Sequence, residues 1–331
     1  MTPSFDRRRF LRAGLALPFA TSLSSSLRAQ PSAATGRIIC GYPPGGSVDI
    51  VCRKLAEKLT GVLAASVIVE NKPGAAGRIA VEELKRAAAD GTTLLVTPAS
   101  IVTMYPHIYR QLSYDPFVDL APVSTVAVTG FALGVGSMVP ESVQTPADFA
   151  LWAKSNPGLA SCGNAGAGSM PHFMALLLAR ELGVELTHVP FRGGKDAMQA
   201  VAAGQCAAAL ATESSALPFT QAGRMRVLAT SCAERSAFLP AAPTFRECGF
   251  ALLTQQEWFG AFMPAKTPAA AIEKVAAAIQ AALRQPDIRD VWQKLGLTPE
   301  PMATSALQQA MRTETDFWRP IIRASGFTPE A

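Results

Sequence analysis

The chain is poor in the groups that most catalytic and metal sites require. Histidine occurs three times in 331 residues, as His107, His172 and His188, and no two are spaced as metal ligands. The six cysteines, Cys40, Cys52, Cys162, Cys206, Cys232 and Cys248, include no C-x-x-C pair and no Cys/His ligand spacing. They are expected to act as small buried hydrophobes, with pairing left open. No Walker A sequence occurs, and no G-x-G-x-x-G follows a strand with a correctly spaced acid. In Gly166-Ala167-Gly168-Ser169-Met170 the serine is out of place for a nucleophile elbow. Catalysis therefore has little support, and neither metal nor cofactor is expected.

Charge and aromatic residues are sparse too. Only 17% of residues are charged and 7% aromatic, and no basic run is interleaved with aromatics, so nucleic-acid binding has no electrostatic footprint. Residues 1–29 hold five arginines and one aspartate, so +4 of the formal +5 lies there and the remainder is near +1. Residues 120–139 lack charge altogether. They contain Pro122, Gly130, Gly134 and Gly136 among β-branched residues, which predicts a buried strand rather than a membrane span.

What is present begins with a leader. Asp6-Arg7-Arg8-Arg9-Phe10-Leu11-Arg12 matches the twin-arginine export pattern, and a modestly apolar stretch and a serine run lead to Leu27-Arg28-Ala29. Residues 1–29 are read as a signal peptide and the mature protein as periplasmic. With 49% hydrophobic residues, the rest can bury two cores.

The mature chain is organised around Gly41-Tyr42-Pro43-Pro44-Gly45-Gly46-Ser47-Val48-Asp49, between an apolar strand and a helix. The prolines restrict the turn, and the glycines let backbone come close to a bound group. A helix start behind them supplies unpaired N–H groups and the positive end of a dipole, a ready anion site. The competing reading is an ordinary loop whose helix is capped by Ser47 or Asp49.

The same architecture recurs. Strand, Gly loop, helix, strand, helix and strand span 37–97, and the order repeats over 159–211 with Gly163-Asn164-Ala165-Gly166-Ala167-Gly168-Ser169 as the second loop. Two βαβαβ units imply parallel sheets with right-handed crossovers. Ligands in such sheets sit beyond the carboxyl ends of the strands, so two facing lobes form an anion clamp. Residues 123–136 read as the crossing into the second lobe and Gln256–Phe262 as the return, the connectivity of a hinged clamp. Thr97, at the end of the third strand, either donates to a ligand or caps the next turn. His172 is either beside the anion site or an ordinary half-buried helix residue. Thr145-Pro146-Ala147-Asp148 reads as a helix start, Thr267-Pro268 as the cap of an Ala-rich helix, and 105–122 as a surface excursion with one short helix. Trp292 and Trp318 fall on apolar helix faces.

These residues resemble the Bug-type solute-binding proteins of tripartite tricarboxylate transporters over essentially the whole mature length. The matches are Tyr42 to Asp49, Val69 to Gly77, Tyr114-Asp115-Pro116, Gly163 to Ser169 with His172, and His188 to Gly193. Ala216-Leu217-Pro218, Gly223 to Arg226 and Trp258-Phe259-Gly260 complete the set.

The resemblance implies an α/β fold of two Rossmann-like lobes joined by a hinge, with a Venus-flytrap motion. The lobes are expected at 30–125 with 256–331, and at 126–255. It implies a receptor for a small organic carboxylate, held largely by backbone N–H groups of the two Gly loops. The expected partners are membrane transporter subunits or a sensor, the expected state is a monomer, and the rival is an exported enzyme acting on a small anion. The implied ligand-binding residues are Tyr42, Pro44, Gly45, Gly46, Ser47, Asp49, Thr97, Gly166, Ala167, Gly168, Ser169, His172, Phe191, Ala211 and Thr212. Where the family's strand before Ala-Leu-Pro often ends in Phe-Asp, this one ends Leu210-Ala211-Thr212. With no acid there, a ligand carrying carboxylate but no ammonium is expected, unless Glu213 reaches it.

Overall fold

A computed structural model describes residues 35–327; the expected signal peptide, 1–29, lies outside them. The strands are β1 (Thr35–Cys40), β2 (Ser66–Asn71), β3 (Thr93–Pro98), β4 (Leu120–Val135), β5 (Ser161–Asn164), β6 (Thr187–Pro190), β7 (Ala208–Thr212), β8 (Arg226–Thr230) and β9 (Gln256–Pro264). In the first half the helices are α1 (Ser47–Leu59), α2 (Arg78–Arg86), α3 (Ala99–Thr103), α4 (Tyr105–Ile108), α5 (Pro116–Asp119) and α6 (Pro146–Ser155). There follow α7 (Met170–Leu182), α8 (Gly194–Ala202), α9 (Glu213–Gln221), α10 (Ala269–Leu283), α11 (Pro286–Lys294) and α12 (Thr304–Ala324).

Strand order is β2-β1-β3-β9-β4-β7-β5-β6, with β8 also on β4. The β1–β2, β1–β3, β5–β6 and β5–β7 pairs are parallel, as the βαβ alternation requires. Antiparallel β9 and β4 join the two parallel groups. Residues 120–130 of β4 pair with β9, and residues 131–135 pair with β7 and, from Ala132, β8. The uncharged run is thus a buried strand, and Gln256–Pro264 is the return. Among the described residues no helix is long and apolar enough to cross a membrane.

Side-chain alternation along the strands builds separate layers. Ile38, Cys40, Leu94 and Val96 face α1, α10 and α11, while Ile39 and Leu95 face the α2, α3 and α12 side. In the second half Leu133, Cys162 and Leu210 pack under α7, and Ala132, Ala209 and Ala211 under α8 and α9. Trp292 and Trp318 are fully buried, and all six cysteines are free thiols, with Cys40, Cys52, Cys162 and Cys206 buried.

Local readings fared unevenly. Thr145 forms a capping box, accepting from Asp148 N–H at 3.1 Å while the Asp148 carboxylate accepts from Thr145 N–H at 3.0 Å. Thr267 caps nothing: Pro268 is the N-cap of α10, and the Thr267 hydroxyl is buried without a partner. The 105–122 excursion is not a surface loop. Its proline and aspartate content does make turns, but Tyr105, Ile108 and Tyr114 are buried in the core, with two short helices rather than one.

Gly136 closes β4 against the end of α8. A methyl group there would overlap the Val201 carbonyl, a backbone group that cannot rotate away. Gly136→Ala is expected to lower unfolding free energy by about 3 kcal/mol. Urea unfolding checks this, and an unchanged midpoint would mean that α8 shifts freely.

Candidate functional site

Both glycine loops leave the carboxyl ends of parallel strands, β1 and β5, and run directly into α1 and α7. In the first loop Pro44, Gly45 and Gly46 are exposed, Tyr42 and Ser47 half-buried. Gly45 has φ +86°, a conformation that side chains resist. Gly46 is the N-cap of α1 and supplies no side-chain cap. The first helical bond is Ile50 N–H to Gly46 O at 3.0 Å, so the N–H groups of Ser47, Val48 and Asp49 lack carbonyl partners within the helix.

Asp49 plays a different part from the other expected ligand residues. It is 1% exposed. Its Oδ2 accepts from Gly45 N–H at 2.9 Å and from Arg53 Nε at 2.9 Å, and its Oδ1 accepts from Asn71 Nδ2 at 2.8 Å. Burial opposes its charge, but Arg53, Gly45 and Asn71 outweigh that and hold the carboxyl below its usual range. Asn71 Nδ2 also donates to Tyr42 O at 3.0 Å. Asp49 therefore ties the loop to β2 from behind. The Tyr42 phenol lies near Gly77, and burial pushes its pKa well up, keeping it neutral.

The second loop is tied in the same way by different residues. Asn164 is fully buried; its Oδ1 accepts from Gly166 N–H at 3.1 Å and its Nδ2 lies 2.5 Å from His188 Nδ1. His172 Nδ1 accepts from Gly168 N–H at 3.0 Å. The Ser169 hydroxyl donates to Gly166 O at 2.7 Å. Gly166 and Gly168 have φ +132° and +79°. Ala167 is exposed at the loop tip, and α7 has no side-chain cap.

Helix α4 reaches from the turn before α2 to the second Gly loop. Tyr105 donates to Ala76 O at 3.1 Å, and Ile108, one turn on, lies 3.5 Å from where a Gly168 Cβ would stand. The remaining expected residues divide. Phe191 is half-buried against Gly163, at the start of the loop. Thr212 shares its hydroxyl with Ser214 and Ser215 at 2.8 and 2.9 Å. Thr97 is 1% exposed opposite Gly260, and Ala211 is fully buried beneath Gly194.

Glu213 points elsewhere. It is 2% exposed, its Oε2 accepts from the Ser236 hydroxyl at 2.5 Å, and Cys232 Sγ lies 3.5 Å from its Oε1. It lines a cavity of about 320 Å³ with Gly130, Phe238 and Gln256, to which neither Gly loop contributes. Glu257, on β9, is a second buried acid that sequence reasoning passed over. Its Oε1 accepts from Ser100 N–H at 3.3 Å, and burial pushes its carboxyl up to about 8. Among the described residues no group of three His, Cys, Asp or Glu side chains can hold a metal.

A family model described as "Tripartite tricarboxylate transporter family receptor" matches residues 51–327. The chain belongs to this receptor family. Three solved members or neighbours place it further. The periplasmic binding protein BugD is 26% identical with a TM-score of 0.78, over 89% of this chain and 99% of BugD. MatC (Rpa3494) of Rhodopseudomonas palustris, with bound malate, is 28% identical at TM-score 0.78, over 87% and 98%. Rpa4515 of the same organism, with adipate, is 25% identical at TM-score 0.81, over 91% and 100%. The receptor is thus of the Bug type, with the two-lobed α/β fold of periplasmic binding proteins.

Proposed function

We propose that this receptor captures a small organic carboxylate between its two lobes in the periplasm and passes it to the membrane subunits of a tripartite tricarboxylate-type transporter. We take the lobes to be residues 30–125 with 256–331, and 126–255, of which 30–34 and 328–331 lie outside the described residues. One observation carries the reading. In both glycine loops a buried polar side chain, Asp49 or Asn164, faces backwards to brace the loop, which leaves the Ser47, Val48 and Asp49 N–H groups at the start of α1, and the Met170 N–H at the start of α7, without carbonyl partners in their helices. Such donors suit a carboxylate and make no use of a substrate's reactivity. The bound malate and adipate of the two neighbours are of that class.

The expected residues other than Asp49, Thr97, His172 and Ala211 line the capture site, with those four supporting it from within. A thermal-shift screen followed by calorimetry, with malate, adipate, succinate and aspartate, tests the proposal. Malate or another simple carboxylate should raise the melting temperature, and aspartate should bind more weakly than malate. Glu213, the acid expected from the sequence to meet an amine, is engaged by Ser236 and lines a separate cavity. Tighter binding of aspartate than of malate would overturn the assignment of the pocket as one for carboxylate without ammonium.

A further inference from the structure

His172 and His188 form a unit whose purpose the capture reading leaves open. Their rings stack with centroids 3.8 Å apart and planes 21° apart. They come from different elements, the first turn of α7 and the middle of β6, and meet because Cys162 on β5 pairs in register with His188. Each ring aims Nδ1 at the same loop. His172 Nδ1 takes the Gly168 N–H, and His188 Nδ1 takes the Asn164 amide, whose Oδ1 in turn takes the Gly166 N–H. An Nδ1 that accepts a hydrogen bond places the single ring proton on Nε2. Both histidines are therefore neutral Nε2–H tautomers.

Resting on the carboxylate-capture reading, we infer that His172 and His188 are positioning residues for the 163–169 loop. By accepting through both Nδ1 atoms, the stacked pair turns the Gly166 and Gly168 N–H groups inward and fixes which N–H groups of the loop remain for the ligand.

The chemistry allows no protonated version of this arrangement. An imidazolium carries hydrogen on both nitrogens, so Nδ1–H would face the Gly168 N–H or the Asn164 NH₂, donor against donor. A second cation 3.8 Å away would add like-charge repulsion. The surroundings favour neutrality as well. The side chains packed on the pair include Phe173, Leu176, Leu186, Phe327 and Cys162, of which only the Cys162 thiol titrates, and burial pushes that up to about 12. Burial, then the neighbouring His188, holds His172 down to about 4, and burial lowers His188. Since the folded values lie below the unfolded one, this contribution is complete above about pH 6.5 and is lost as pH falls towards 4.

The test compares the wild type with His172→Asn and His172→Phe. Asparagine presents Oδ1 about where Nδ1 stands and does not titrate; phenylalanine keeps the stack and removes the acceptor. Ring ¹³C shifts should report Nε2–H tautomers for both histidines at pH 7. Gly168 amide exchange should be slow in the wild type and in His172→Asn, and at least tenfold faster in His172→Phe. Adipate affinity, compared between wild type and His172→Asn at each pH so that the ligand's own titration cancels, should diverge below pH 6 with the wild type weaker. His172→Phe should bind at least tenfold more weakly than His172→Asn at pH 7. An Nδ1–H tautomer, or equal Gly168 exchange in all three proteins, would overturn the inference even if adipate binds normally. Failure of adipate to bind the wild type would count against the capture reading and leave the tautomer and exchange arms to decide this one.

Discussion

Gly46→Val is expected to weaken carboxylate capture about 100-fold and leave the fold intact. Gly46 has φ −77° and ψ 165°, extended backbone that valine adopts readily. A Cβ there meets only Pro43 O, at 3.7 Å, so nothing in the protein must move. Valine is a poorer N-cap than glycine, which costs about 1 kcal/mol at most. The added methyl groups stand at the start of α1, where the Ser47 and Val48 N–H groups have no carbonyl partner within the helix and are proposed to meet the ligand. Losing two charge-assisted hydrogen bonds there removes about 3 kcal/mol or more of binding, about 100-fold in affinity. Calorimetry with malate or adipate measures it. Gly158→Val makes the same change where a Cβ meets nothing within 4 Å, and should bind as the wild type does. Near-normal affinity in Gly46→Val would remove the first loop from the site. Gly168→Val is a worse probe, because φ +79° strains any side chain and confuses loss of fold with loss of contact.

The second large effect concerns stability and pH. Glu257 and Glu314 are buried acids near α3 and α12, pushed up by burial to about 8 and about 7. Trp258 Nε1–H donates to Glu314 Oε1 at 2.5 Å, and Glu314 Oε2 is buried with no partner. Both carboxyls bind protons more tightly folded than unfolded. Their contribution is therefore complete below about pH 4.5 and is lost as pH rises towards 8. Glutamine is neutral at every pH and keeps an oxygen to accept from Ser100 N–H and Trp258 Nε1–H. The double variant Glu257→Gln, Glu314→Gln should match the wild type at pH 5 and exceed it by about 3 kcal/mol at pH 8. Urea midpoints at pH 5, 6.5 and 8 give the difference directly. A variant less stable than the wild type at pH 8 would mean that the acids are charged and paired.

Parts of this molecule were legible because they depend on neighbours in the chain. The strand–helix alternation, the uncharged β4 and the Thr145–Asp148 cap are all written within a few residues. The two Gly loops were legible as loops before helices, but the direction of their polar side chains was not. Asp49 could cap, bind or brace; the choice rests with Arg53 one turn on and Asn71 on another strand. His188 lies 24 residues from Asn164, and only the β5–β6 register brings them together. Glu257 reads as one residue of a return strand until α3 is known to begin against it. The 105–122 segment misled because proline and aspartate signal turns, whereas its tyrosines pack inward.

The position of β9 has a consequence for synthesis. It is the strand that lies between β3 and β4, yet it is the last of the described strands to be made. A nascent polypeptide halted before residue 256 holds β3 and β4 with no partner between them, each offering a bare edge to any other strand nearby. The first lobe cannot mature as a unit while the ribosome is still extending the second. Its sheet is completed only when nearly the whole protein is available, so truncated products of this gene should be aggregation-prone out of proportion to the residues they lack.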